Sequence, residues 1–213
     1  MPKTIEGQPV YGFIDHDYEK VKNFSIYGKI DWFEYRFNKI LMNPIQIIDE
    51  TVKKAKDADN ECFLENENVS VFTIIVLTIC VGIDLLGGFL SGRNNDNKKG
   101  IIRKDFINFI DEYLDLSKEY AKRPYKDQET FSSLLYELFR CGLAHNLTIK
   151  KVGFGYGQIY FREEDGNYYI STDKLLEDLK QAFENYILNI RENKNGLQQK
   201  FMSRFDHVFI KRE

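Results

Sequence analysis

Apolar positions recur with helical spacing along most of the chain. From Ile30 onward, Phe33, Phe37, Ile40 and Leu41 fall on one face of a helix. Asn43-Pro44 reads as a cap and a first-turn proline, opening a second helix through about Lys56. Val69 to Leu90 is apolar all round rather than along one stripe, which predicts a helix buried on all sides and ending at Gly87-Gly88. Ile102, Phe106, Phe109, Ile110, Tyr113, Leu116 and Tyr120 form the next stripe, closed by Pro124. Asp127 is the expected cap of a helix whose inward face is Phe131, Leu134, Leu135 and Leu138, running directly into Arg140–His145. Thr172 is the expected cap of a long last helix carrying Leu175, Leu176, Leu179, Phe183, Tyr186, Ile187 and Ile190.

Between these elements the pattern breaks. Residues 1–28 mix Gly7, Pro9, Gly12 and Gly28 with aromatics and read as an irregular arm that could hold a short strand. Residues 57–68 are an acidic, polar loop, and Ser91–Gly100, nearly devoid of apolar residues, reads as a flexible surface loop. After His145 the period shortens: Leu147 and Ile149, Gln158–Phe161 and Tyr168–Ile170 alternate as strands do, with Asp165-Gly166 as a hairpin turn. Gly153–Gly157 reads as a turn. The expected architecture is mainly α: a helical bundle over 29–195, with a small β-hairpin insert at about 147–171 following the Arg140–His145 helix. Residues 196–213 read as a basic, partly mobile tail in which Phe201, Phe205 and Phe209 could form a short helix.

At 213 residues, 43% hydrophobic and 15% aromatic, the chain has the composition of one folded domain. Its net charge of −3 lacks the basic footprint of a duplex-binding protein, so any nucleic-acid contact must be focal. Cys62, Cys80 and Cys141 form no CxxC pair and no Cys/His cluster, so neither a disulfide framework nor a metal site is expected, and no cofactor. The first twenty residues lack the apolar core of a signal peptide, and a reducing cytoplasm is the expected compartment. As a helix, Val69–Leu90 would extend about 33 Å, enough for a bilayer. However, Asp84 would cost about 2.5–3.5 kcal/mol near the bilayer centre, and no aromatic belt frames the segment. No membrane association is expected.

The most reactive grouping is Arg140-Cys141-Gly142-Leu143-Ala144-His145. An imidazole exchanges protons near neutral pH, while a guanidinium stays charged and grips phosphate at two points. Together they suit cleavage of an RNA phosphodiester by its own 2′-hydroxyl. On a regular helix the five-residue spacing leaves the two side chains about 140° apart. Gly142, between them, tolerates the backbone change that would let them converge.

FRCGLAH resembles the signature of the HEPN (higher eukaryotes and prokaryotes nucleotide-binding) superfamily, in which an Arg is followed after four to six residues by His. The resemblance covers this short stretch and the helix pattern around it. It implies an α-helical bundle with the motif at a helix end, and a metal-independent endoribonuclease in which two copies of the motif meet across a homodimer. It also implies a role in anti-phage defence or as a toxin, with an antitoxin or defence-system protein as partner. Arg140 and His145 take the positions of the catalytic pair. Active members usually carry Asn, Asp or His after the Arg, where this chain has Cys141.

Other residues could support such a site. Asp84, the one charge in the apolar helix, could orient His145 or pair with Arg140; equally, it could mark where that helix surfaces. Cys141 reads as a small packing residue rather than a nucleophile, and Asn146 adds a polar group beside His145. Lys150, Lys151 and Arg162 could meet the backbone of single-stranded RNA, with Phe154 and Tyr156 as stacking faces, or could simply solvate a hairpin. Arg140 and His145 themselves also suit a helix C-terminus, where cations meet loose carbonyls. His16 and His207 have no assigned role. Three readings remain open: the ribonuclease, a non-catalytic HEPN-like module binding a nucleotide or a protein, and a structural phage protein.

Overall fold

The computed structural model describes residues 4–5, 8–9, 20–57, 68–95, 100–114, 130–137, 152–156, 161–164 and 167–210. Over these the chain is mainly α, a helical bundle with a small β element. The helices are α1 (Ile26–Phe37), α2 (Asn43–Asp57), α3 (Asn68–Ser91), α4 (Ile101–Tyr113), α5 (Phe131–Leu135), α6 (Thr172–Arg191) and α7 (Leu197–Phe205). Near the N-terminus, Thr4–Ile5 (β1) and Gln8–Pro9 (β2) pair antiparallel.

The apolar run predicted to be central forms α3, which packs against α2, α4, α6 and α7. Ile75, Val76, Ile79, Ile83, Leu86 and Phe89 are buried along it. It is not enclosed on every side: Ile74 and Val81 are 51% and 55% exposed. By length and composition Val71–Ser91 could also cross a membrane. Gly87-Gly88 does not end the helix. The end lies at Ser91, where Gly92 adopts a left-handed φ of 70°. Gly92 N–H then reaches the Phe89 carbonyl (3.2 Å) and Arg93 N–H the Gly88 carbonyl (3.0 Å), the Schellman arrangement. Gly87 serves close packing instead, since a Cβ there would stand 2.5 Å from the Asp105 carbonyl oxygen on α4.

Ser25 starts α1 by accepting a hydrogen bond from Gly28 N–H (3.2 Å). Helical backbone continues past Phe37 through a π-helical turn, Asn38–Met42, into α2, so Asn43 caps nothing. Proline inside a helix removes a donor and crowds the preceding turn, and the widened turn directly before Pro44 absorbs both effects. The extra residue also shifts the register: Leu41 is buried, but Ile40, expected inside, is 47% exposed.

Aromatic rings knit the bundle. Phe33 lies 4.4 Å from Phe89 and 5.5 Å from Phe201 between ring centroids, and Phe37 stacks on Phe183 at 4.1 Å. Every residue predicted for the inward stripe of α6 is buried. That helix begins one residue earlier than expected: Ser171 takes the cap position, and Thr172 donates its hydroxyl to the Gly155 carbonyl (3.4 Å).

The segment read as a mobile basic tail is part of the core. In α7, Phe201 and Phe205 are fully buried, and the following π-helical turn (Asp206–Ile210) brings Phe209 to 5.0 Å from Trp32. Lys29, itself buried, donates to Asp206 (3.3 Å) and lies over the Phe205 ring. The four-residue spacing of phenylalanines marks a helix facing inward; of its basic residues Lys200 is exposed, whereas Arg204 is buried.

The β insert comprises Val152–Gly155 (β3), Phe161–Glu164 (β4) and Asn167–Ser171 (β5). β4 and β5 pair antiparallel across positions 165–166, as the Asp-Gly signal predicts. β3 lies parallel to β5, with Phe154 opposite Ile170. Gly153–Gly155, read as the start of a turn, is thus strand. Two glycines disguised a segment whose pairing comes from a partner sixteen residues away.

Candidate functional site

Arg140, Cys141, His145, Asn146, Lys150 and Lys151 lie outside the described residues, as do Leu116, Tyr120, Asp127 and Leu138. Arg162 stands on β4 opposite Tyr169. What can be described is the approach to the motif. Helix α4 ends at Tyr113, with Leu114 extended, earlier than its predicted stripe. Thr130 begins α5: its hydroxyl accepts from Ser133 N–H (3.2 Å), the capping bond that Asp127 was expected to supply. Phe131, Leu134 and Leu135 are buried as predicted, and helical backbone continues through Glu137, three residues before Arg140.

Asp84 is found beside Arg93, 3.7 Å from the guanidinium. The expected surface loop after α3 therefore turns inward at Arg93. That guanidinium also lies 3.2 Å from Asp105 of α4, whose carboxylate accepts from the Ser91 hydroxyl at 2.9 Å. Arg204 of α7 donates to the Arg93 carbonyl (3.0 Å). Gly88 makes this convergence possible, because a Cβ there would press on both guanidinium groups, at 3.0 and 3.2 Å. Burial pushes the Asp105 carboxyl above the usual range; the Ser91 hydrogen bond, Arg93 and Arg204 oppose that shift, and Asp84 adds to it. A serine beside a carboxylate without an imidazole is no nucleophilic triad. The chemistry of this cluster is electrostatic: it ties α3, α4 and α7 together.

Beside the cluster a cleft of about 440 Å³ is lined by Asp105, Asp111, Glu112, Asn108, Asn195 and Lys200, among others. Its acidic walls are unsuited to an RNA backbone. Among the described residues no group of His, Cys, Asp and Glu is placed to hold a metal ion.

No protein-family model, curated protein or solved structure matches the chain.

Tyr156, considered as a stacking face, is engaged otherwise. Its hydroxyl donates to the buried Asp49 carboxylate (2.9 Å), its ring meets the edge of Phe72, and the Lys53 ammonium lies 5.2 Å from the ring centroid. Lys53 also bonds Asp49 at 2.7 Å. Burial, then the Asp49 carboxylate, holds the Tyr156 phenol well above its ordinary value. This trio fastens the β insert to α2. Cys80 is buried, consistent with packing. Arg93, Asp105 and Arg204 were missed in the sequence. The available signal was Asp105 itself, an acid immediately beside Phe106 on an apolar helix face.

Proposed function

We propose that this chain is a metal-independent endoribonuclease of the HEPN type, acting in the cytoplasm as a homodimer. The observation carrying the reading is the Arg140-x4-His145 motif, placed by sequence directly after a helix packed into a mainly α bundle. The mainly α architecture agrees with the fold the resemblance implies. His145 moves the proton between the 2′-hydroxyl and the leaving 5′-oxygen, and Arg140 holds the anionic phosphorane. The 2′-oxygen bonds to phosphorus as the P–O5′ bond breaks, leaving a 2′,3′-cyclic phosphate and a 5′-hydroxyl. One histidine offers one proton-transfer group, whereas the reaction needs a base and an acid; a twofold dimer supplies two. Lys150, Lys151 and Arg162 are the proposed contacts to single-stranded RNA, and an antitoxin or defence-system protein is the proposed partner.

Cys141, where active members usually carry a polar residue, favours a second reading: a HEPN-like binding module without catalysis. Expression tests separate the two. Toxicity that disappears with His145→Ala supports the nuclease, and harmless expression with capture of a tightly bound partner supports the module. In vitro, cleavage should survive EDTA and spare RNA whose 2′-hydroxyls are replaced by hydrogen. Cleavage of the deoxy-substituted strand contradicts attack by the 2′-hydroxyl.

A further inference from the structure

Arg103, in the first turn of α4, makes a three-part contact with the helix that leads into the motif. Its Nε donates to Glu137 at 2.9 Å, its Nη2 donates to the Ser133 hydroxyl, and its guanidinium lies 5.9 Å from the centroid of the Tyr136 ring. Tyr136 is held from another side by Phe106, at 5.3 Å edge to face. Ser133 and Glu137 are four residues apart, so they line one face of the helix, one turn from each other. A planar fork touching both fixes the rotation of that helix about its axis as well as its distance from α4. With the Arg103 and Glu137 side chains 43% and 44% exposed, the ion pair adds little to stability. Its effect is geometric, at the last described turn before Arg140.

We propose that Arg103 is a positioning residue for the ribonuclease site, acting through Glu137 and Ser133 to hold the helix from which Arg140 follows. This rests on the nuclease reading above. Arg103 does not touch the reacting phosphate in this role, so its loss acts on the chemical step and not on RNA affinity.

The test compares kcat and KM for RNA cleavage by the full-length wild type, Arg103→Ala, Arg103→Lys, Glu137→Ala and the double alanine variant, with folding checked by circular dichroism and melting. Arg103→Ala should lower kcat by about 10²-fold, the loss expected when catalytic groups are displaced on the order of 1 Å, with KM unchanged. Lysine should not rescue it, since it lacks the fork. Glu137→Ala should act in the same direction, and the double variant should be no slower than the slower single one, because both remove one linkage. A raised KM with unchanged kcat, or full activity of Arg103→Ala, overturns the positioning role while leaving the nuclease reading intact. Independent, multiplying losses for Arg103 and Glu137 also overturn it. No cleavage by the wild type contradicts the nuclease reading and removes the role with it.

Discussion

The Arg93 guanidinium meets the Asp105 carboxylate at 3.2 Å inside the bundle, with each side chain only 4% exposed. A buried pair is not a large net source of stability compared with apolar packing, but removing one partner leaves a charge without compensation. Arg93→Ala should therefore cost about 3–5 kcal/mol. Urea unfolding measures this directly; a change of less than about 1 kcal/mol would mean that Arg93 is not what neutralises Asp105.

Asp105 also sets a pH dependence. Its carboxyl titrates above the ordinary range because of burial, so the folded chain holds this proton when the unfolded chain has released it. Its contribution is fully present below the ordinary carboxylate pKa and is lost as pH rises through the raised folded value. The wild-type stability minus that of Asp105→Asn should fall with pH across this window and then level off. Unfolding curves at a series of pH values test the sign, and a difference that rises with pH would contradict it.

Gly87 lets α3 and α4 approach closely, for an added Cβ would lie 2.5 Å from a backbone oxygen that cannot swing away. Gly87→Ala should destabilise by at least about 1–3 kcal/mol, the usual cost of overpacking. A melting temperature lower by roughly 2–4 °C per kcal/mol is the readout. Gly155→Ala, where a Cβ meets nothing within 4 Å, is the control.

The C-terminal helix is a structural element whose removal should be felt throughout the bundle. Phe201→Ala should cost about 3–5 kcal/mol, since the ring is fully buried against Phe33 and Phe89. If residues 197–210 were dispensable, the substitution would leave the urea midpoint unchanged.

These elements show which features a sequence reveals. The stripe of α6 was legible because burial of one face imposes helical periodicity on consecutive turns, and α3 because a long run apolar all round marks a central helix. The π-helical turn before Pro44 was not, because one extra residue in a turn leaves no compositional mark and shows only in Ile40 rotating outward. Strand β3 was hidden because its pairing is supplied by β5, while Gly153 and Gly155 signal a turn locally. Arg93 looked like solvent-facing loop because its two carboxylates sit on the helices before and after it, nine and twelve residues away. For the candidate site, the proposed chemistry of Arg140 and His145 rests on residue type and spacing alone, whereas Arg103 gave no such signal: its relation to Ser133 and Glu137 exists only once α4 and α5 are packed.

The proposed role of His145 is to move the proton in RNA cleavage. Its most direct test is the initial rate of cleavage of a mixed RNA pool by purified wild type and by His145→Ala, both shown to be folded by circular dichroism. The wild type should cleave with EDTA present, and His145→Ala should be slower by about 10²–10⁴, the usual loss for a general acid–base group. Equal rates for the two proteins, or no cleavage by either across the pool, would contradict it.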